Sequence, residues 1–264
     1  MRGKSYQSYQ KRNVCLFRGD CRDILKKFPD SYFDAIITDP LYGLQFDSYD
    51  NSNNVFFELE DEFFRVLKKG GWFIFWWTIK KVPDISKLKR FIYKWMLIAE
   101  FRTSCAKSVV GDRTYIPIFV FCKGDGRINM RLCDSLPARE LPQIEGVKIK
   151  QGDFKPTYAQ ALLIQMFAGK EGKVLDPFAG FGSLLLASLL TGVGNVVGIE
   201  KDPLRFQVAK LLLEEEGIPY SIPEIMEAIE QEVESENKEK RKNKTVRITN
   251  LIRERKTRNG YLFL

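Results

Sequence analysis

The chain reads as an α/β protein built on a doubly wound, mostly parallel sheet. Short apolar runs alternate with amphipathic segments along most of its length, which is the pattern of strands covered by helices. The runs are β-branched or aromatic and nearly continuous, as in strands buried on both faces; residues 33–38 (FDAIIT) and 72–78 (WFIFWWT) are the clearest. The distinctive short motifs fall where such runs stop, the place where ligands of open parallel sheets gather.

The elements follow in order. Residues 14–18 predict a strand ending in Gly19-Asp20, and residues 23–28 a short helix with Ile24, Leu25 and Phe28 on one face. The strand over residues 33–38 stops at Asp39-Pro40. Residues 58–69 predict an amphipathic helix ended by Gly70-Gly71, and residues 72–78 the next strand. A helix is expected over residues 88–97. A strand is expected over residues 115–122, with Pro117 marking an edge or a bulge. No period persists from Arg127 to Lys150. Beyond it come a helix (159–168), a strand (174–176), a strongly apolar helix (183–191), a strand (195–200) and a helix (203–216). Ser221 to Glu224 matches a capping box opening a further helix, followed by a nearly all-polar stretch and a basic tail.

Composition narrows the chemistry. The chain has 264 residues, 44% of them hydrophobic, enough for one large domain with a real core. A formal net charge of +8 suits a polyanionic partner. Five scattered cysteines without a CxxC pair, and no histidine at all, argue against a zinc site and against any mechanism needing an imidazole base. The polar first residues hold no leader-like apolar region, and no apolar run approaches the ~18–20 residues that span a bilayer. A cytoplasmic protein with no metal and no membrane partner is expected.

Residues 174–183 (VLDPFAGFGS) leave a strand and enter a helix, and Gly180 and Gly182 would let backbone approach a ligand closely. Glu200 ends the next strand, where a carboxylate can hold both hydroxyls of a ribose. Glycine turns of this kind also serve tight packing, and their spacing alone would admit a nicotinamide enzyme. Position in the chain discriminates better. A nicotinamide domain usually opens with its glycine turn and needs several strands after it, whereas here only a short, largely charged stretch follows Glu200. The remaining strands must come from upstream.

Upstream, residues 37–43 (ITDPLYG) sit at a strand end. An exocyclic amine on a base is a poor nucleophile because its lone pair is delocalised into the ring. A site for it must accept the amine hydrogens and aim the nitrogen. The Asp39 carboxyl and the Pro40 carbonyl supply acceptors, and the Tyr42 ring can stack on an extruded base. An Asp-Pro turn after a strand is ordinary in isolation; its partner motifs give it weight.

Together these residues resemble the β group of DNA amino-methyltransferases, in which the catalytic motif precedes the cofactor motif. The resemblance covers roughly residues 14–213. It rests on Gly19-Asp20-Cys21 before a helix, FDAIITDP at 33–40, RVLKKGG at 65–71, FVFCKG at 119–124, Lys155-Pro156, DPFAGFG at 176–182 and GIE at 198–200, all in the family's order. It implies a Rossmann-like, S-adenosylmethionine-dependent methyltransferase fold with permuted motif order. It places Asp39, Pro40 and Tyr42 at the target base. It assigns Asp20 and the Cys21 backbone to the cofactor's adenine and Glu200 to its ribose. Asp176, Phe178, Gly180 and Gly182 would surround the methionine portion, with Lys155, Pro156 and Thr157 completing that pocket. Phe178 would add cation–π attraction to a sulfonium. One departure stands out: the family's second proline is Leu41 here, which removes a locked φ and predicts a looser site.

The resemblance further implies site-specific methylation of double-stranded DNA, with a restriction–modification role, at adenine N6 because the motif is acidic. N4 of cytosine, a base amine in RNA and an inactive nucleic-acid-binding relative are the alternatives. Arg127, Arg131, Arg139, Lys148 and Lys150 could reach phosphates or guanine edges, and recognition could also borrow Tyr49, Arg102, Lys107 and Arg113. The expected organisation is an arm (1–12), a catalytic half (13–124), a short recognition or linker segment (125–154), a cofactor half (155–220) and a charged C-terminal helix and tail (221–264). Oligomeric state stays open, a homodimer among the options.

Overall fold

The computed structural model describes residues 6–40, 54–141 and 154–216. Two compact units divide the chain at residue 219, and the description below concerns the first. The strands and helices are β1 (Ser8–Lys11), β2 (Val14–Arg18), α1 (Cys21–Ile24), β3 (Phe33–Thr38), α2 (Asn54–Glu58), α3 (Glu60–Val66), β4 (Leu67–Trp76), β5 (Ile92–Glu100), β6 (Ala106–Ser108), β7 (Gly111–Arg113), β8 (Tyr115–Cys122), β9 (Ser135–Pro137), α4 (Thr157–Phe167), β10 (Lys173–Asp176), α5 (Ser183–Thr191), β11 (Asn195–Glu200) and α6 (Pro203–Glu214). Nine strands form one sheet in the order β1-β2-β11-β10-β3-β4-β8-β5-β9, and β6 and β7 form a separate ribbon. From β2 to β4 every neighbour is parallel.

Ile92, Tyr93, Trp95 and Met96 of β5 are exposed, whereas both faces of the central strands are covered, as the continuous apolar runs require. β4 shows how. Its Phe73 and Phe75, with Trp77 just beyond, join Phe56, Phe63, Phe91 and Phe121 in an aromatic core under α2 and α3. The alternate Trp72 and Trp76 turn to α4, where the Trp72 ring lies 5.1 Å from Phe167 and Trp76 Nε1 donates to Gln160 Oε1 at 3.4 Å. α5 is buried on nearly every side, between the sheet and helices α4 and α6, so its run of leucines shows no amphipathic stripe.

The architecture is the expected one, with permuted order, and several elements differ in detail. The helix expected over residues 88–97 is strand β5. Its Ile92, Tyr93, Trp95 and Ile98 favour a pleated surface, and pairing with β8 outweighs the helical reading of the run. The helix expected over residues 58–69 stops at Val66, and Leu67 already pairs with Phe33 as the start of β4. Gly70, at φ +78°, sits inside that strand and does not end a helix. Pro117 is not on an edge, since β8 lies between β4 and β5. Its carbonyl accepts from Trp77 N–H at 3.0 Å, so its nitrogen faces the same way, past the last β4 pair at Trp76 and Ile118, where no ladder donor is needed. Part of the N-terminal arm forms β1, turned back on β2 at Arg12. The capping box at residues 221–224 lies outside the described residues. Among the described residues no helix is long and apolar enough to cross a membrane, and no acidic, Cys or His cluster could hold a metal ion.

Candidate active site

Parallel pairing sets the carboxyl ends of β2, β11, β10, β3 and β4 side by side. Asp20, Glu200, Asp176, then Thr38 and Asp39, therefore line one edge in that order. The two motifs, 138 residues apart, meet directly: the buried Thr38 hydroxyl donates to Asp176 Oδ1 at 2.6 Å across the β3–β10 junction. Phe178 N–H donates to the same oxygen at 3.2 Å.

Glu200 holds the glycine turn in place. Its Oε2 accepts from Gly180 N–H at 2.7 Å and its Oε1 from Asp202 N–H at 2.6 Å. Each carboxylate oxygen keeps a second lone pair for a ligand hydroxyl. Burial pushes the carboxyl groups of both Asp176 and Glu200 up to about 7, against the opposing hydrogen bonds each accepts.

The two glycines of the turn differ. Gly180 has φ +54°, and a Cβ built on it would meet nothing within 4 Å, so it borders open space. A Cβ on Gly182 (φ +80°) would come 3.2 Å from Ala209 Cβ, so this glycine also serves the packing of α5 against α6. The open cradle at Gly180, flanked by the Asp176 and Glu200 carboxyls, fits a ligand carrying hydroxyl and amino groups.

Lys155 was expected beside the cofactor. Its nearly buried ammonium forms an ion pair with Asp39 Oδ2 and lies 5.9 Å from the Trp76 ring centroid. Pro156 caps α4. The Thr157 hydroxyl donates to Glu140 Oε2 at 2.6 Å and accepts from Leu141 N–H at 2.9 Å. Burial raises the Glu140 carboxyl above its usual range. Thr157 thus ties residues 140–141 to the start of α4, a link that residue type alone did not signal.

Asp20 caps α1 and is held by Arg22, through Nε at 2.9 Å, and by Lys201 at 3.1 Å; the Arg22 hydrogen bond chiefly keeps its carboxyl well below the usual range. Cys21 is buried, and burial pushes its thiol up to about 12. The Phe178 ring is half-buried, 6.4 Å from Phe63 and from Phe56, on the rim of the aromatic core. Pro40 is buried and Asp39 partly exposed. Tyr42 and Leu41 lie outside the described residues, as do Tyr49, Lys148 and Lys150.

The basic residues separate. Arg139 follows β9 on the site edge and stacks over Tyr158 at 4.0 Å. Arg113 lies at the end of β7, next to the start of β8 on that edge. Arg127 follows β8 at the opposite edge, where its carbonyl accepts from Trp72 Nε1 at 3.2 Å. Arg131 is exposed on the path between that edge and β9.

No family model matches the chain. YubD of Escherichia coli (strain K12), described as a candidate methylase, is 28% identical over 204 residues, which are 69% of this chain and 82% of that protein. Among solved structures, the M1.HpyAVI–SAM complex aligns with a TM-score of 0.60 at 18% identity, over 76% of this chain and 98% of that one. The cytosine-N4-specific PvuII DNA methyltransferase aligns at 0.61 and 15%, over 79% and 92%. TTHA0409 from Thermus thermophilus, a candidate DNA modification methylase complexed with S-adenosyl-L-methionine, aligns at 0.57 and 19%, over 76% and 93%. The chain has the fold of the S-adenosylmethionine-dependent methyltransferases. Its fold and the order of its motifs fit the β group of DNA amino-methyltransferases.

Proposed function

We propose that this protein is an S-adenosylmethionine-dependent DNA methyltransferase acting on the exocyclic N6 of an adenine extruded from the duplex. The observation that carries the reading is the junction of the two motifs on one sheet edge, Thr38 to Asp176 and Asp39 to Lys155. Solved neighbours bound to the same cofactor support its choice. When bound, the cofactor supplies an electrophilic methyl group.

The chain's own residues do the rest. Glu200 and the Gly180 turn would hold the ribose and the methionine portion, with Asp176 and Phe178 beside them. The Asp39 carboxyl and the Pro40 carbonyl accept the two amine hydrogens, leaving the nitrogen lone pair directed at the methyl carbon. On taking the methyl group that the cofactor would supply, the amine would shed one proton, which Asp39 would accept and pass to solvent. Lys155 fixes the Asp39 rotamer, so its acceptor is aimed before substrate arrives. Tyr42 stacks on the base.

Incubation with radiolabelled cofactor and unmethylated DNA, followed by nucleoside mass spectrometry, tests this; label in N6-methyladenine is expected. A second reading, N4 of cytosine, is favoured by the likeness to the PvuII enzyme and would show as N4-methylcytosine.

A further inference from the structure

The β5–β8 connection is a large feature of the site edge that this chemistry leaves unused. β5 and β4 both run antiparallel to β8, so β5 is parallel to β4 and ends, at Glu100, on the edge that carries Asp39. Pairing continues past that edge. Phe101 N–H donates to Thr114 carbonyl at 2.7 Å and Cys105 N–H to Arg113 carbonyl at 2.8 Å. The β6–β7 ribbon then sets Ala106 opposite Arg113 and Ser108 opposite Gly111. At ~3.3 Å per residue, the stretch from Thr114 to Val110 spans at most about 15 Å.

Its tip is Val109-Val110, 104% and 92% exposed. The tip is braced. The Ser108 hydroxyl donates to Gly111 carbonyl at 2.9 Å and accepts from Val110 N–H at 3.3 Å, and Lys107 pairs with Asp112. Two fully exposed valines on a shaped turn present an apolar surface that water disfavours.

We infer that this ribbon is a wedge for duplex DNA, with Val109 and Val110 entering the base stack beside the extruded target. The inference rests on the proposed DNA methylation and adds how the base leaves the helix. Position supports it: with strands ~4.8 Å apart, the arm rises about 10–14 Å from the Asp39 strand, within the span of a duplex docked on this edge. Charge supports it too. Lys107 and Asp112 cancel, leaving Arg102 exposed at the arm's root and Arg113, whose buried Nε has no hydrogen-bond partner among the described residues. Arg139 is exposed on the same edge. Apolar side chains between basic ones are how proteins unstack a base step while holding its phosphates.

The experiment uses the full chain and the double variant V109S/V110S, on duplexes carrying the site that sequencing of wild-type-methylated DNA identifies. Each duplex is made with the target base paired and with it mismatched, so that the second is already partly unstacked. The variant should lose about tenfold or more in methylation rate on paired DNA and recover to within about threefold of wild type on mismatched DNA, with cofactor affinity unchanged. An equal loss on both substrates, no loss on either, or a changed oligomeric state in ultracentrifugation without a paired-to-mismatched difference overturns the wedge. No transfer by wild type to any DNA overturns the functional reading, and the wedge with it.

Discussion

The Thr38 hydroxyl and the Asp176 carboxyl, 138 residues apart in sequence, share a buried 2.6 Å hydrogen bond where β3 and β10 end side by side. It couples the strand that aims Asp39 to the strand that launches the glycine turn. Replacing Thr38 by Val keeps the shape but strips a donor from a buried carboxylate, and should lower stability by about 1–3 kcal/mol. Urea denaturation should show a lower midpoint at unchanged slope; an unchanged midpoint would deny the bond its role.

Asp39→Asn should reduce methyl transfer by about two to three orders of magnitude while leaving cofactor affinity near wild type. The amide oxygen still accepts from Lys155, so the fold is kept. Asp39→Ala leaves the Lys155 ammonium without its partner and should in addition lose about 1–3 kcal/mol of stability. Single-turnover rates and calorimetry separate the two effects, and full activity in Asp39→Asn would remove this motif from the chemistry.

Gly180 and Gly182 should respond differently to Ala. Gly180→Ala carries mainly the left-handed backbone penalty, about 1–2 kcal/mol, but fills the open cradle and should weaken cofactor binding strongly. Gly182→Ala adds a close contact with Ala209 and should lose more stability. Thermal melts with and without cofactor distinguish them; equal behaviour would mean the cradle is not the binding surface.

The Asp176 and Glu200 carboxyls, raised to about 7 by burial, predict a pH dependence with a definite sign. Between their unfolded values near 4 and about 7 the native state holds more protons than the unfolded one, so stability falls as pH rises through that window and levels above it. Cofactor affinity should run the opposite way, rising from about pH 6 to 8 as Glu200 ionises and can accept the ribose hydroxyls. Glu200→Gln should flatten the affinity profile and remove only its own share of the stability profile, leaving that of Asp176. Calorimetric titration across that range decides, and a flat wild-type profile would count against Glu200 as the ribose acceptor.

Much of the stretch from α4 to α6 was legible because punctuation brackets each element. Gly182 and Gly192 bound α5, and Asp202-Pro203 opens α6, so those limits follow from turn and cap chemistry. β5 was not legible: Ile92, Tyr93, Trp95, Met96 and Leu97 satisfy a helical period as well as a pleated one, and only the β8 ladder decides between them. The Lys155–Asp39 pair and the Thr157–Glu140 link join residues from separate segments, which no local pattern can announce. Gly180 and Gly182 look alike in a string of letters; Ala209, on another helix, tells them apart.

The place of β10, between β3 and β11, has a consequence for how the protein is made. Synthesis delivers β2, β3 and β4 long before the strand that must lie at their centre. Until residues 173–200 leave the ribosome, the inner edges of β2 and β3 carry unpaired backbone groups and an uncovered apolar face, the surface on which nascent chains associate wrongly. The sheet is therefore completed from the middle and last, so the half proposed to bind the cofactor also closes the fold, and a chain interrupted before residue 173 is left with two open strand edges and no core between them.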